Sequence, residues 1–211
     1  MRAIKVVDYD PCWPRLFAEI SAEISILLGD RLLSIDHIGS TSVPGLAAKP
    51  KIDLDAVTIS DEFLPTAIEV VRAADFVFHG DTGEQRWAFT RDHHAYGFKL
   101  YLCGPNNRAH RDRILFRDHL RVHPERAKAY AELKRRLAAE AGGDWDFYTG
   151  GKTAFVSETV SAGCLEDMKW SAQRTPCHYR LIAIAPPRDD LALADMVGRA
   201  DKTFLFHAFH Q

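Results

Sequence analysis

No apolar run in this 211-residue chain approaches the roughly 20 residues that a membrane span needs. The opening residues, Met1-Arg2-Ala3-Ile4-Lys5-Val6-Val7-Asp8, lack the apolar stretch of a signal peptide. A cytoplasmic protein without a membrane partner is the expectation. Cysteine is sparse: Cys12, Cys103, Cys164 and Cys177 are scattered without a Cys-x-x-Cys pair, which argues against a disulfide scaffold and the common zinc and redox motifs, and for reduced thiols. Charge of one sign is lacking too. The 27 Lys and Arg against 29 Asp and Glu leave −2, so no global basicity draws the chain to nucleic acid or an anionic lipid surface, and any basic patch must be local. Gly-x-Gly-x-x-Gly and Gly-x-x-x-x-Gly-Lys-Ser/Thr are both absent. Rossmann-type dinucleotide binding and P-loop phosphoryl transfer are therefore unsupported. No internal repeat is visible.

What is present suffices for a core. Apolar residues make up 46% and charged residues 27%, and the length implies one domain with additions. Leu16, Phe17, Ile20, Ile24, Leu27 and Leu28 recur at helical spacing, with Pro14 at the start and Gly29 at the end, predicting a helix over 14–28. Strands are expected at 32–38, 51–59, 76–79, 85–91 and 96–103, with a helix capped by Asp61 between the second and third. Helices follow at 109–121, 124–141 and 152–169. Residues 1–170 read as the main domain and 171–211 as an extension of unassigned role, with strand-like pieces at 178–185 and 202–209.

The stretch richest in chemistry runs from Gly39-Ser40 across twelve residues to Asp53-Leu54-Asp55. Side chains alternate along a strand, so the two acids share one face, about 7 Å apart, while Ile52 and Leu54 face the opposite layer. Asp is depleted in strands. Two on one face repel unless a cation or a shared proton resolves the conflict, and magnesium takes such carboxylates together with substrate phosphates. Gly39 permits close backbone approach, and the hydroxyls of Ser40, Thr41 and Ser42 with their amides can hold a phosphate.

The string His37-Ile38-Gly39-Ser40-Thr41-Ser42-Val43-Pro44-Gly45-Leu46-Ala47-Ala48-Lys49-Pro50-Lys51-Ile52-Asp53-Leu54-Asp55 resembles the hallmark of the GrpB family within the nucleotidyltransferase superfamily. Tyr9-Asp10-Pro11-Cys12-Trp13-Pro14, residues 116–124, Tyr130 with Lys134, and Tyr148 with Lys152 agree with it. The resemblance spans roughly residues 4–165. It implies an α/β (α+β) nucleotidyltransferase-like fold: a mixed β-sheet with packed helices and a helical C-terminal half. It also implies a magnesium-dependent transfer of a nucleoside monophosphate from a nucleoside triphosphate to an unidentified acceptor, a small molecule rather than a nucleic acid. Asp53 and Asp55 would be the catalytic, metal-holding acids, and Gly39, Ser40, Thr41, Ser42, Lys49, Arg117, Arg121 and Lys152 the phosphate-binding residues. One departure stands out. Many active superfamily members carry a third carboxylate on the strand that here holds Lys99, and Asp81, Glu84 and Asp92 in the flanking turns are the candidate substitutes. The alternative is a non-catalytic module binding a nucleotide or a coenzyme A-related compound. Homo-oligomerisation stays open.

Between His110 and Arg136 nine positive residues face four negative ones. Arg117 with Arg121, and Tyr130 with Lys134, share helix faces and are expected to wall an anion site. His119 and His123 have the i, i+4 spacing with which two imidazoles meet one zinc ion, although the Glu of a His-Glu-x-x-His metalloprotease is missing between them. A zinc hydrolase is accordingly a third reading. His37 is expected to order the Gly-Ser loop.

Overall fold

The computed structural model of the chain describes residues 3–93 and 96–173. The strand-like pieces at 178–185 and 202–209, the extension from 174 onward and His94 lie outside the described residues.

Helix α1 (Trp13–Leu28) opens with Pro14 in its first turn and stops at Gly29, whose φ of +54° a helix cannot continue. Trp13, Leu16, Ile20, Ile24 and Leu28 form its buried stripe. The stripe packs against Ile52, Leu54 and Ala56 of β2 (Lys51–Thr58) and against Phe98, Leu100 and Leu102 of β5 (Tyr96–Cys103). Helix α2 (Leu64–Arg72) adds Leu64, Ala67 and Val71 to the same layer. Burying each large side chain there contributes about 1.5–3 kcal/mol.

The sheet has five strands in the order β1-β2-β5-β4-β3, where β1 is Leu32–Ile38, β3 Val77–Asp81 and β4 Trp87–His93. Strands β2 and β5 are parallel; every other neighbouring pair is antiparallel. A parallel pair needs a long crossover, and α2, β3 and β4 supply it. The sheet is therefore mixed, as the sequence predicts, and one face of β2 goes to the core just described.

The other face is covered by helices from the second half of the chain. Helix α3 (Arg108–Val122) lays Ile114 on a small cluster of Ile38, Ala88 and Tyr101. Helix α4 (Pro124–Glu140) packs Tyr130 and Ala131 with Phe116 and Leu120 of α3 and with Val43, Leu46 and Ala47 of the loop between β1 and β2. Helix α6 (Thr153–Gln173) closes this half. Helix α5 (Trp145–Gly150) is not anticipated from the sequence. Its six residues are too few for a periodic pattern, and it starts because Asp144 accepts hydrogen bonds from the amides of Asp146 (2.9 Å) and Phe147 (3.0 Å). No helix among the described residues is long and apolar enough to cross a membrane.

Candidate functional site

The Gly-Ser loop is held from beneath. Gly39 has φ +71° and ψ −172°, a region that only glycine occupies without strain. A Cβ there would lie 3.1 Å from Asp53 Oδ2 and 3.3 Å from Asp53 Cβ, so the missing side chain makes room for that carboxylate. Ser42 Oγ donates to the Gly39 carbonyl at 2.6 Å. His37 Nε2 and Thr41 Oγ1 share a 3.0 Å hydrogen bond, and the His37 ring stacks on Phe17 with centroids 4.6 Å apart. Burial, then the nearby Arg121 and Arg117 cations, push His37 down to about 4, so the ring is neutral at pH 7 and orders the loop without charge. Gly39→Ala is expected to cost roughly 1–3 kcal/mol in stability and to displace Asp53. Urea unfolding and triphosphate binding, measured on the same preparation, check both effects.

Alternation places Asp53 and Asp55 on the helix-covered face, and pairing with β1 brings a third acid to it. Asp36 stands directly opposite Asp55 in the antiparallel register, and Ile38 opposite Asp53. Asp55 is fully buried. His110 donates from Nδ1 to its Oδ2 at 3.0 Å, and Arg113 Nη1 lies 3.7 Å from its Oδ1. His110 Nε2 is also 3.6 Å from Asp36 Oδ2, and Arg117 Nη1 is 3.8 Å from Asp36 Oδ1. The repulsion between strand acids is thus relieved on the Asp55 side by the Arg113 and Arg117 guanidiniums and the His110 hydrogen bond of α3. Asp55 Oδ1 still has no hydrogen-bond partner.

Asp53 points instead into a cavity of about 500 Å³. Of the metal- and phosphate-binding residues that the resemblance implies, Gly39, Ser40, Thr41, Lys49, Asp53 and Lys152 line it. So do Lys51, Lys99, Arg113 and Lys134, making six cationic side chains with Lys49 and Lys152 against the one carboxylate of Asp53. Tyr130, Trp145 and Tyr148 complete the wall. Lys49 Nζ sits 4.5 Å from the Trp145 ring centre and Lys152 Nζ 4.3 Å from that of Tyr148, within cation-π range.

The lysines are poorly hydrated. Lys134 is almost wholly buried and donates to the Ala47 carbonyl. Burial, then Lys152, Arg135 and Lys49, lower it to about 7. Burial lowers Lys152 to about 8, with Lys49 adding repulsion and Asp53 opposing. Lys49 is lowered for the same first cause, with Asp53 again opposing. Burial thus disfavours the charged form of all three, and an anion in the cavity would favour it.

Ser42, Asp55, Arg117 and Arg121 do not line the cavity. Arg117 donates to the His37 carbonyl (3.1 Å) and forms a two-pronged contact with Asp118 (2.7 and 3.0 Å). Arg121 donates to the Ser42 carbonyl from Nε (3.1 Å) and Nη2 (2.8 Å). Both guanidiniums clamp the loop rather than wall the cavity. Asp81, Glu84 and Asp92 are exposed and do not line the cavity. Asp81 accepts from the amides of Gly83 and Arg86, which shapes the β3–β4 turn. The acid that joins the pair on this face is Asp36. Strand alternation from Ile38 was the available signal for it, but only the β1–β2 register puts it opposite Asp55.

A family profile described as GrpB protein matches residues 3–162. The chain is similar to the UPF0157 protein YqkA of Bacillus subtilis strain 168, 34% identical over 161 residues, covering 74% of this chain and 46% of that protein. It therefore spans about half the length of that relative. The crystal structure of the conserved protein GrpB from Enterococcus faecalis is similar with TM-score 0.70 and 26% identity, covering 78% of this chain and 99% of that one. A weak likeness, TM-score 0.39 and 16% identity over 63% of this chain and 38% of the other, is to a cytoplasmic RNA terminal U-transferase and is too loose to carry function.

Proposed function

The chain belongs to the GrpB family, and from that premise we propose that it is a magnesium-dependent nucleotidyltransferase. It would move a nucleoside monophosphate from a nucleoside triphosphate to an unidentified acceptor, a small molecule rather than a nucleic acid. The observation that carries this reading is the convergence of the Gly39-Ser40 turn, Asp53 and six cationic side chains on one cavity. A triphosphate carries the multiple negative charge that such a lining lacks.

The donor chemistry fits the metal. Asp53 and Asp55 offer hard oxygen ligands; Asp53 borders the cavity, and Asp55 Oδ1, behind it and 3.7 Å from Arg113 Nη1, makes no hydrogen bond. These two acids would hold magnesium, which when bound neutralises charge on phosphate oxygens as a Lewis acid. The remaining work belongs to the protein. The loop at Ser40 and Thr41 would hold terminal phosphate oxygens, and Lys49, Lys134 and Lys152 would stabilise the charge that builds as the acceptor oxygen or nitrogen attacks the α-phosphorus in line. The bond from the α-phosphorus to the bridging oxygen then breaks, that oxygen leaves with pyrophosphate, and the acceptor's proton passes to solvent.

Lys99 stands directly across from Asp53 in the parallel register, and this favours a second reading: a non-catalytic module that binds a nucleotide or a coenzyme A-related compound through charge alone. Calorimetry with a nucleoside triphosphate panel, with and without magnesium, separates the two when run on wild type and Asp53→Asn. Magnesium-dependent binding that is lost in the variant, together with pyrophosphate release in an acceptor screen, is the expected result. Tight binding indifferent to both magnesium and the substitution would defeat the transferase reading and support the module.

A further inference from the structure

His119 and His123 lie one helical turn apart, the first inside α3 and the second immediately after it, and Glu166 reaches both from α6. His119 Nδ1 is 3.1 Å from Glu166 Oε2, and His123 Nε2 is 3.0 Å from Glu166 Oε1. One donor atom from each of the three residues lies within 4.8 Å of the others, the only such group of three or more metal-ligating side chains among the described residues. The two imidazole rings face each other with centroids 4.1 Å apart.

We propose that His119, His123 and Glu166 bind a zinc ion, with water in the fourth position. Around tetrahedral zinc with bonds of about 2.0–2.2 Å, neighbouring donor atoms are about 3.4 Å apart. The three donors are therefore within small side-chain adjustments of a ligating arrangement. Two imidazole nitrogens with one carboxylate suit zinc better than magnesium or calcium, which prefer all-oxygen sets. The outer partner is also in place: Glu125 Oε1 lies 3.3 Å from His123 Nδ1. A proton held on Nδ1 by that carboxylate leaves the Nε2 lone pair free for the metal.

Exposure fits an ion that enters from solvent. His119 is buried at 8% exposed, whereas the Glu166 side chain is 48% exposed, so the site has one wall in the core and one side open. Zinc here would clasp the end of α3 to α6. Those two helices carry Arg108 and Asp112 on one side and Val156, Val160 and Cys164 on the other of a groove of about 800 Å³, so the clasp would fix the groove's width. None of the three ligands lines the lysine-rich cavity, and the zinc site stands or falls independently of the transferase reading.

The test uses the full chain without a histidine tag, stripped with a chelator and titrated with zinc by calorimetry. One zinc per chain is expected, with Tm rising by roughly 5–10 °C at a hundredfold excess over Kd. His123→Ala and Glu166→Gln should each weaken binding at least about tenfold and abolish the Tm rise. A His207→Ala, His210→Ala double variant should change neither. Cobalt added to the stripped wild type should give the visible absorption of a four-coordinate ion. The assignment is overturned if wild type shows no saturable site, if both single variants bind as tightly as wild type, or if the tail variant alone loses the ion. Should either single variant fail to fold, the cobalt spectrum of the wild type decides, and a purely six-coordinate spectrum overturns the site.

Discussion

Asp55→Asn is expected to destabilise the protein by roughly 3–5 kcal/mol, the usual cost of removing one partner of a buried charge pair, whereas Asp53→Asn should change stability by less than about 1 kcal/mol. The two acids are neighbours on one strand face, but their surroundings differ. Asp55 is fully buried, with His110 and Arg113 as its partners. Losing its charge leaves His110 and Arg113 facing a neutral amide at a fully buried position, although Arg113 itself also borders the cavity. Asp53 borders the open cavity, where solvent compensates. Activity should follow the opposite order of interpretability. Asp53→Asn is expected to cut metal-dependent turnover by roughly a hundredfold to a thousandfold, the several kcal/mol that charge neutralisation by a metal supplies, in a protein that still unfolds normally. Urea unfolding of both variants, with m unchanged, is the check. An Asp55→Asn protein as stable as wild type would mean that His110 and Arg113 do not depend on that carboxylate.

Raising the pH from 6 to 9 should weaken triphosphate binding by about tenfold if Lys152 alone is required, about a hundredfold if Lys134 alone is, and about a thousandfold if both are, one order of magnitude for each pH unit over which a required lysine loses its proton. Lys134 at about 7 and Lys152 at about 8 titrate inside this window. The protonated lysines attract the anion, so binding takes up protons and is strongest on the acid side. Stability of the free protein runs the other way. Because both lysines are lowered from their ordinary value of 10.5, the unfolded chain holds more protons than the folded one between pH 7 and 10.5. Their contribution to stability is therefore unfavourable at low pH and relaxes as the pH rises through that range. Lys134→Met with Lys152→Gln should flatten both profiles. The triphosphate's own titration is common to wild type and variant, so the difference between the two binding curves belongs to the lysines. Parallel curves would show that neither lysine meets the ligand.

Legibility followed the range of the interactions involved. Strand β1 over Leu32–Ile38 and β5 over Tyr96–Cys103 match their expected bounds, because apolar composition and flanking turn residues are written locally. The expected helix from Asp61 begins instead as a short tight turn at Asp61–Phe63, and α2 starts only at Leu64. Ser60 is the residue that caps the turn, accepting from the Glu62 amide at 3.2 Å. Side-chain roles were harder to read. Arg117 and Arg121 share a helix face, as their spacing requires, but spacing does not say whether that face meets a ligand or a loop carbonyl. Sequence shows Lys99 only as the absence of an acid on its strand, whereas in the fold it is one of six cationic groups around a cavity.

The sequence alone determined the strands and most of the helices, the family resemblance, and the placing of Asp53 and Asp55 on one face, since each depends on residues near one another in the chain. Only the tertiary structure decided which acid is solvated and which is buried, that Asp36 faces Asp55, that Lys134 reaches the Ala47 carbonyl, and that Glu166 comes to His119 and His123. These are contacts between elements far apart in sequence. Sheet register and helix packing set them, and no local pattern encodes either.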